Sequence, residues 1–211
     1  MNLEAININM ASKTTWVEAG ATVGQLYDAI ADRTASYGFS AGSCTTMGTG
    51  GHFSGGGYGL LTRKYGVSAD NVIDALFVDA RGNLVNRQKM GEDVFWALRG
   101  GGGGSWGIVV AWRIKLVKVP PVVTGFTVVR TGRDAVTKLV HQWQSIAPAL
   151  EDDIFMRVIV LGTQLKTGER DVQAIFRGMY LGQLDEFVKI VNKSFVKAFR
   201  NWVWPLATVK R

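Results

Sequence analysis

Residues 41–58 read Ala41-Gly-Ser-Cys-Thr-Thr-Met-Gly-Thr-Gly-Gly-His-Phe-Ser-Gly-Gly-Gly-Tyr58, and this stretch decides how the rest of the chain is understood. Glycine stands at 48, 50, 51, 55, 56 and 57. A residue without a side chain lets the backbone approach a ligand closely and enter positive-φ conformations. Successive amides in such a loop can cradle phosphates. The pattern is not the dinucleotide fingerprint, because no G-x-G-x-x-G follows a strand and opens a helix. Cys44, His52 and Tyr58 punctuate the run. Each alone has an ordinary reading: a lone cysteine is more often an inert buried hydrophobe, a lone histidine a hydrogen-bonded structural residue, a lone tyrosine a packing residue. Together in one glycine-rich loop they point to a ligand site. No period is visible from Gly42 to Gly59, so irregular backbone is expected there.

Upstream, Met1-Asn-Leu-Glu-Ala-Ile-Asn-Ile-Asn9 alternates as a strand does, and Thr14 to Gly20 forms a second short strand that ends in a glycine turn. Thr22 is placed to cap a helix over Val23 to Ala31, with Leu26, Tyr27 and Ile30 on one face. Downstream, Asn71 to Asp79 is a strand, Ala80 to Asn83 its turn, and Leu84-Val85 begins the returning strand. Glu92 to Arg99 reads as a short helix with an acidic first turn, running into the glycines at 100–104. Ile108 to Val117 is a long strand, after which Pro120-Pro121 breaks the chain. This sets an expected domain boundary, residues 1–121 against residues 122–211. In the second part, strands over Phe126–Arg130, Ile154–Leu161 and Val172–Leu181 alternate with helices over Asp134–Leu150 and Leu184–Phe195. The expected class is α+β, the second part being an antiparallel sheet backed by helices.

The 211 residues are 47% hydrophobic and 19% charged, which excludes a disordered chain. Lys and Arg total 24 against 17 acids, a net charge of +7. The cations are scattered, with no run of five or six, so they attract anions generally and leave no nucleic-acid footprint. One cysteine cannot form an internal disulfide. No stretch reaches the roughly 18 apolar residues of a membrane span. The N-terminus lacks the basic start and apolar core of a signal peptide. Asp152 and Asp153 adjoin in a turn and face different directions, no arrangement for a catalytic carboxylate pair. His141 reads as a surface or packing residue, Trp112 and Trp143 as core. No metal site is expected.

Taken with its flanks, the loop resembles the plant berberine bridge enzyme-like flavoproteins, which carry a p-cresol methylhydroxylase-type FAD domain. The resemblance runs from about Asn2 to Phe195. It rests on Trp16-Val-Glu-Ala-Gly-Ala-Thr-Val-Gly-Gln-Leu-Tyr27, Gly48 to Gly59, Arg63-Lys-Tyr-Gly66, Asp70-Asn-Val-Ile-Asp74 and Phe95-Trp-Ala-Leu-Arg-Gly-Gly-Gly-Gly-Gly104. It implies the second subdomain of the FAD domain, followed by part of a substrate domain.

The resemblance implies roles residue by residue. Cys44 matches the cysteine whose sulfur bonds C6 of the isoalloxazine ring, fixing FAD and altering its potential. His52 matches the histidine beside the ribityl chain and the N1–C2=O edge, where negative charge develops when the flavin takes a hydride. Tyr58 matches an active-site tyrosine that helps a partner deprotonate a substrate hydroxyl. Gly48, Thr49, Gly50, Gly51, Ser54, Gly55, Gly56 and Gly57 would contact flavin and pyrophosphate, and the Ile108 backbone the adenine side. Met47 stands where the family gates dioxygen: small Val goes with oxidases, bulkier residues with dehydrogenases. A bulky, flexible Met implies slow reoxidation. Thr45 departs from the family's Pro after the cysteine. The family's second attachment histidine, and its C-terminal catalytic Tyr and Asn, are not in this chain. The likeness stops after Phe195, so a partial chain is expected. Asn192-Lys-Ser194 is a glycosylation sequon, which suits the secreted or cell-wall location that the resemblance implies.

The implied function is an FAD-dependent oxidoreductase taking hydride from an alcohol-type CH–OH centre. Its substrate would be a small-molecule alcohol, carbohydrate or alkaloid-type compound, with no nucleic acid as partner. Two rivals stand beside it: a truncated, inactive paralogue or gene-model fragment, and a basic polysaccharide- or nucleic-acid-binding protein. The second lacks the clustered basic patch it would need.

Overall fold

Alternation along the N-terminal half builds an antiparallel five-stranded sheet. A computed structural model describes residues 2–165, 167–195 and 206–210. The chain divides into two compact units, Met1–Val119 and Pro120–Arg211. In the first, strands β1 (Ile6–Asn9), β2 (Thr14–Glu18), β4 (Val72–Val78), β5 (Leu84–Val85) and β6 (Ile108–Lys115) lie in the order β1-β2-β6-β4-β5. β3 (Tyr37–Gly38) pairs with β7 (Val117–Lys118) as a separate ribbon. The β4–β6 register slips between Val72 and Asp74 and again between Leu76 and Phe77. Such bulges bend a strand and locally raise its twist.

Helix α1 (Val23–Arg33) covers this sheet with Val23, Leu26 and Ile30, spaced so that they share one face. Burying each such side chain contributes about 1.5–3 kcal/mol. The Thr22 hydroxyl accepts from the Gln25 amide at 3.2 Å, and the Gln25 side chain accepts from the Thr22 amide at 2.7 Å. This reciprocal capping box starts the helix at the expected residue. It runs two residues beyond the expected Ala31, to Arg33.

The stretch from Gly42 to Gly59 is not wholly irregular. Thr49–Ser54 forms a short helix, α2, followed by α3 (Thr62–Tyr65). Glycine is a poor helix former, and packing accounts for α2 instead. Phe53 is fully buried, its ring 5.1 Å from Phe39 and 6.4 Å from Trp112. α4 (Arg87–Met90) and α5 (Glu92–Leu98) follow, and α5 buries Phe95 and Leu98. The Phe95 ring lies between two guanidinium groups, Arg87 at 4.4 Å and Arg99 at 4.5 Å. That contact holds the segment entering the second glycine run.

In the second unit, β8 (Val122–Thr131), β9 (Ile154–Gln164), β10 (Arg170–Tyr180) and β11 (Leu206–Lys210) form an antiparallel sheet ordered β11-β8-β10-β9. One face carries Phe126, Val128, Ile154, Ala174 and Phe176, packed with Val136 and Leu139 of α6 (Arg133–Ile146) and Phe187 and Val191 of α7 (Leu184–Phe195). This is the expected sheet backed by helices. α6 stops four residues short of the expected Leu150, because Pro148 has no amide to donate and the chain tightens into a 3₁₀ turn at Ala147–Ala149. Trp143 packs against this core and His141 is exposed. The break in resemblance after Phe195 falls on 196–205, outside the described residues.

Candidate functional site

The Cys44 loop is laced to the end of β2 and the start of α1 by backbone hydrogen bonds. The amides of Val23 and Gly24 donate to the carbonyls of Met47 and Thr45 at 2.8 and 2.9 Å. In return, the amides of Thr49 and Gly50 donate to Ala21 and Ala19 at 2.8 and 3.2 Å. Thr45, where a proline was expected, lies directly on Gly24: a Cβ there would come 2.8 Å from the Thr45 oxygen. Immediately ahead of these anchors Cys44 is a free, exposed thiol. With Thr45 to Gly50 pinned on one side and Gly42 held on the other by His52 and Tyr27, the loop presents that nucleophile at a fixed place.

His52 projects from α2 beneath this loop. Its Nε2 accepts the Gly42 amide at 2.8 Å, and the carbonyl of the same Gly42 accepts from the Tyr27 hydroxyl at 2.9 Å. Met47 packs over Gly42, its methyl taking the space that a side chain there would need. Burial pushes the His52 pKa below its ordinary 6.5, so the ring is neutral near pH 7. Tyr58 leaves the loop with 58% of its surface exposed.

The two glycine runs meet at Ser54. Its carbonyl accepts from the amides of Gly100 and Gly102 at 2.9 and 3.0 Å. Where they meet lies an open groove of about 200 Å³, lined by Gly50, Gly51, Ser54, Gly103, Gly104, Gly107, Ile108 and Val109. Gly51 and Gly104 present bare backbone to open space, whereas a Cβ on Gly50 would press on the Ala19 carbonyl at 2.9 Å. Gly57 is a different case. Its φ of +76° favours glycine, and a Cβ there would reach Ser68 Cβ at 2.5 Å. Gly48 and Gly56 face open space, and Gly55 caps the end of α2.

The expected contact residues therefore separate by what they already do. The Thr49 hydroxyl is buried and donates to the Glu18 carbonyl at 3.0 Å, and its amide and that of Gly50 are engaged as described. The Ser54 hydroxyl donates back to Gly50 at 2.8 Å. A phosphate cradle built from the Thr49 and Gly50 amides is thus largely committed within the chain. Gly51 and the exposed Ile108 offer the free edge, the lining being completed by the buried Gly103 and the open Gly104. The last two were not singled out from sequence. The run Gly100–Gly104 was their signal, but nothing local tells which of its residues faces the groove.

Asn192 is exposed on α7. Among the described residues, no group of three His, Cys, Asp or Glu could hold a metal. No described helix is long and apolar enough to cross a membrane.

A bare-backbone groove, together with an exposed thiol on the loop that leads into α2, suits a flat ring with an attached phosphate chain. Residues 1–87 match the family model described as FAD binding domain. Berberine bridge enzyme-like D-1 of Nicotiana tabacum is 50% identical over 196 residues, 92% of this chain and 35% of that protein. Monolignol oxidoreductase AtBBE-like 13 of Arabidopsis thaliana is 47% identical over 195 residues, 92% of this chain and 36% of its own length. The structure of berberine bridge enzyme from Eschscholzia californica matches with a TM-score of 0.88 at 43% identity, covering 98% of this chain and 41% of that one. The chain thus spans about a third of the length of the curated relatives it matches. Motifs, fold and relatives agree: the chain belongs to the berberine bridge enzyme-like family, whose FAD-binding domain is of the p-cresol methylhydroxylase type.

Proposed function

We propose that this chain carries the Cys44 side of the flavin site of an FAD-linked oxidoreductase that oxidises an alcohol-type CH–OH centre. The observation that carries this reading is the exposed Cys44 thiol on a loop pinned by α1 and α2. FAD, when bound, supplies the hydride acceptor. Cys44 would hold it through a bond from sulfur to ring carbon C6, the thiol and C6 protons leaving while the oxidised flavin itself takes the electron pair and is afterwards reoxidised by the electron acceptor. Gly51, Gly104 and Ile108 let the cofactor approach the backbone along the groove. Gly48, Gly55 and Gly56 border the same loop and leave its surface free of side chains. His52, neutral and partly buried, donates a hydrogen bond to the ribityl and N1–C2=O region and so favours the reduced cofactor. Tyr58 assists removal of the substrate hydroxyl proton. Met47 hinders dioxygen. The relative named monolignol oxidoreductase supports an alcohol as substrate; carbohydrate and alkaloid-type alcohols are the other classes in reach. Export to the cell wall, with Asn192 glycosylated, belongs to the same reading.

The test is a visible spectrum taken after acid precipitation of the expressed chain. Flavin absorbance retained in the pellet, and lost in Cys44→Ala, is the expected result. A colourless soluble protein after incubation with FAD refutes the reading and leaves the inactive paralogue.

A further inference from the structure

The proton on the His52 ring can be placed from its neighbour. The Gly42 amide lies 2.8 Å from Nε2, and an amide N–H can only donate. Nε2 therefore carries the lone pair, and in the neutral ring the proton sits on Nδ1. Turning the ring over would set Cε1–H against the same amide, leaving a buried N–H with no acceptor. The ring also packs closely on the Gly42 backbone. A Cβ built on Gly42 would lie 3.0 Å from His52 Cε1 and 3.1 Å from Nε2. The other end of the Gly42 residue is also held, because the Tyr27 hydroxyl donates to its carbonyl at 2.9 Å. Tyr27 is on α1 and His52 on α2, so two helices grip one residue of the loop that carries Cys44.

We propose that Gly42, gripped between Tyr27 and His52, is a tautomer lock: it keeps His52 as a neutral ring whose one N–H donor is Nδ1, and it makes Tyr27 a positioning residue for that ring. The chemistry depends on the choice. A ring that offers Nδ1–H stabilises an oxygen gaining negative charge, whereas the other tautomer would turn a lone pair toward it. The lock also removes His52 as a general base through Nε2, since that lone pair is occupied. The identity of the acceptor at Nδ1, an oxygen of the ribityl and N1–C2=O region, rests on the flavin reading above. The lock rests on the geometry of this chain alone.

Long-range proton–nitrogen correlation spectra of the ¹⁵N-labelled chain test it. The chain has two histidines. The exposed one, His141, is removed in His141→Gln to assign the signals. The expected result for His52 is a protonated-type shift at Nδ1 and an unprotonated-type shift at Nε2. A protonated Nε2, or two averaged shifts from exchanging tautomers, overturns the lock. Tyr27→Phe keeps the ring and the Gly42 amide and is expected to move both shifts toward their average; an unchanged spectrum removes Tyr27 from the proposal. Recording the spectra with and without FAD separates the two readings. A locked ring in a chain that never takes up FAD refutes the flavin site alone, and uptake of FAD with a protonated Nε2 refutes the lock alone.

Discussion

Two substitutions six residues apart, Gly51→Ala and Gly57→Ala, should act in opposite ways. Gly57 has a φ of +76°, which costs an alanine about 1–2 kcal/mol. Its new methyl would lie 2.5 Å from Ser68 Cβ, an overlap worth about 1–3 kcal/mol to relieve. Moving Ser68 also endangers its hydrogen bond to the Ser40 carbonyl, 2.8 Å long, at about 0.5–1.5 kcal/mol. The loss is therefore about 2.5–6.5 kcal/mol. Gly51 lies inside α2, with nothing within 4 Å of a built Cβ. There an alanine should stabilise the fold by about 0.5–1 kcal/mol through helix propensity. It should nevertheless weaken FAD binding, because the methyl enters the groove. Urea unfolding followed by tryptophan fluorescence measures the first effect, Trp112 being buried in the core of the same unit. Gly57→Ala should lower the midpoint by about 1 M or more, and Gly51→Ala should raise it slightly. FAD titration measures the second effect. Wild-type FAD affinity in Gly51→Ala would refute the assignment of the groove, and wild-type stability in Gly57→Ala would refute the steric argument.

Two further outcomes are expected. Met47→Val should speed reoxidation of the reduced, flavin-loaded protein by dioxygen on the order of tenfold, about 1.4 kcal/mol of barrier, read by stopped-flow absorbance; an unchanged rate sinks the gate. His52 has its folded pKa pushed below 6.5 by burial, so below pH 6.5 the unfolded chain binds a proton that the folded chain refuses. Stability should fall as pH drops through that window and be fully present above it. His52→Gln should flatten this slope in urea midpoints measured across the range, and an equal slope in both proteins would contradict the assignment.

Much of the fold was legible because it rests on local rules. Thr22 and Gln25 announce a capping box three residues apart, and Val23, Leu26 and Ile30 repeat at helical spacing, so α1 starts where the sequence says. The strands of the second unit show their alternation in the same way. α2 was not legible, since its glycines argue against a helix. It exists because Phe53 is buried between Phe39 and Trp112, and Thr49 is tied to Glu18, contacts made with residues far away in sequence. The end of α6 was misjudged because the apolar period continues past Ile146, while Pro148 decides the matter through one missing amide.

The candidate site shows the same division more sharply. Cys44, His52 and Tyr58 could be picked out by residue type, but the use of each loop glycine could not. Gly57 is glycine because Ser68 and a left-handed backbone leave nothing else, and Gly50 because Ala19 lies against it. Gly51 and Gly104 have no such neighbour, so folding alone does not demand glycine there. A bare position that the fold does not require in a helix of low intrinsic stability is a cost of roughly 0.5–1 kcal/mol, and on the proposed reading a ligand approaching the backbone offsets it. The same logic applies to Gly42. Its lack of a side chain leaves room for the Met47 methyl and the His52 ring at once, and its backbone alone grips Tyr27 and His52. Sequence marks the loop as a site, whereas the partner of each backbone atom shows which residues hold the loop and which remain open to a cofactor.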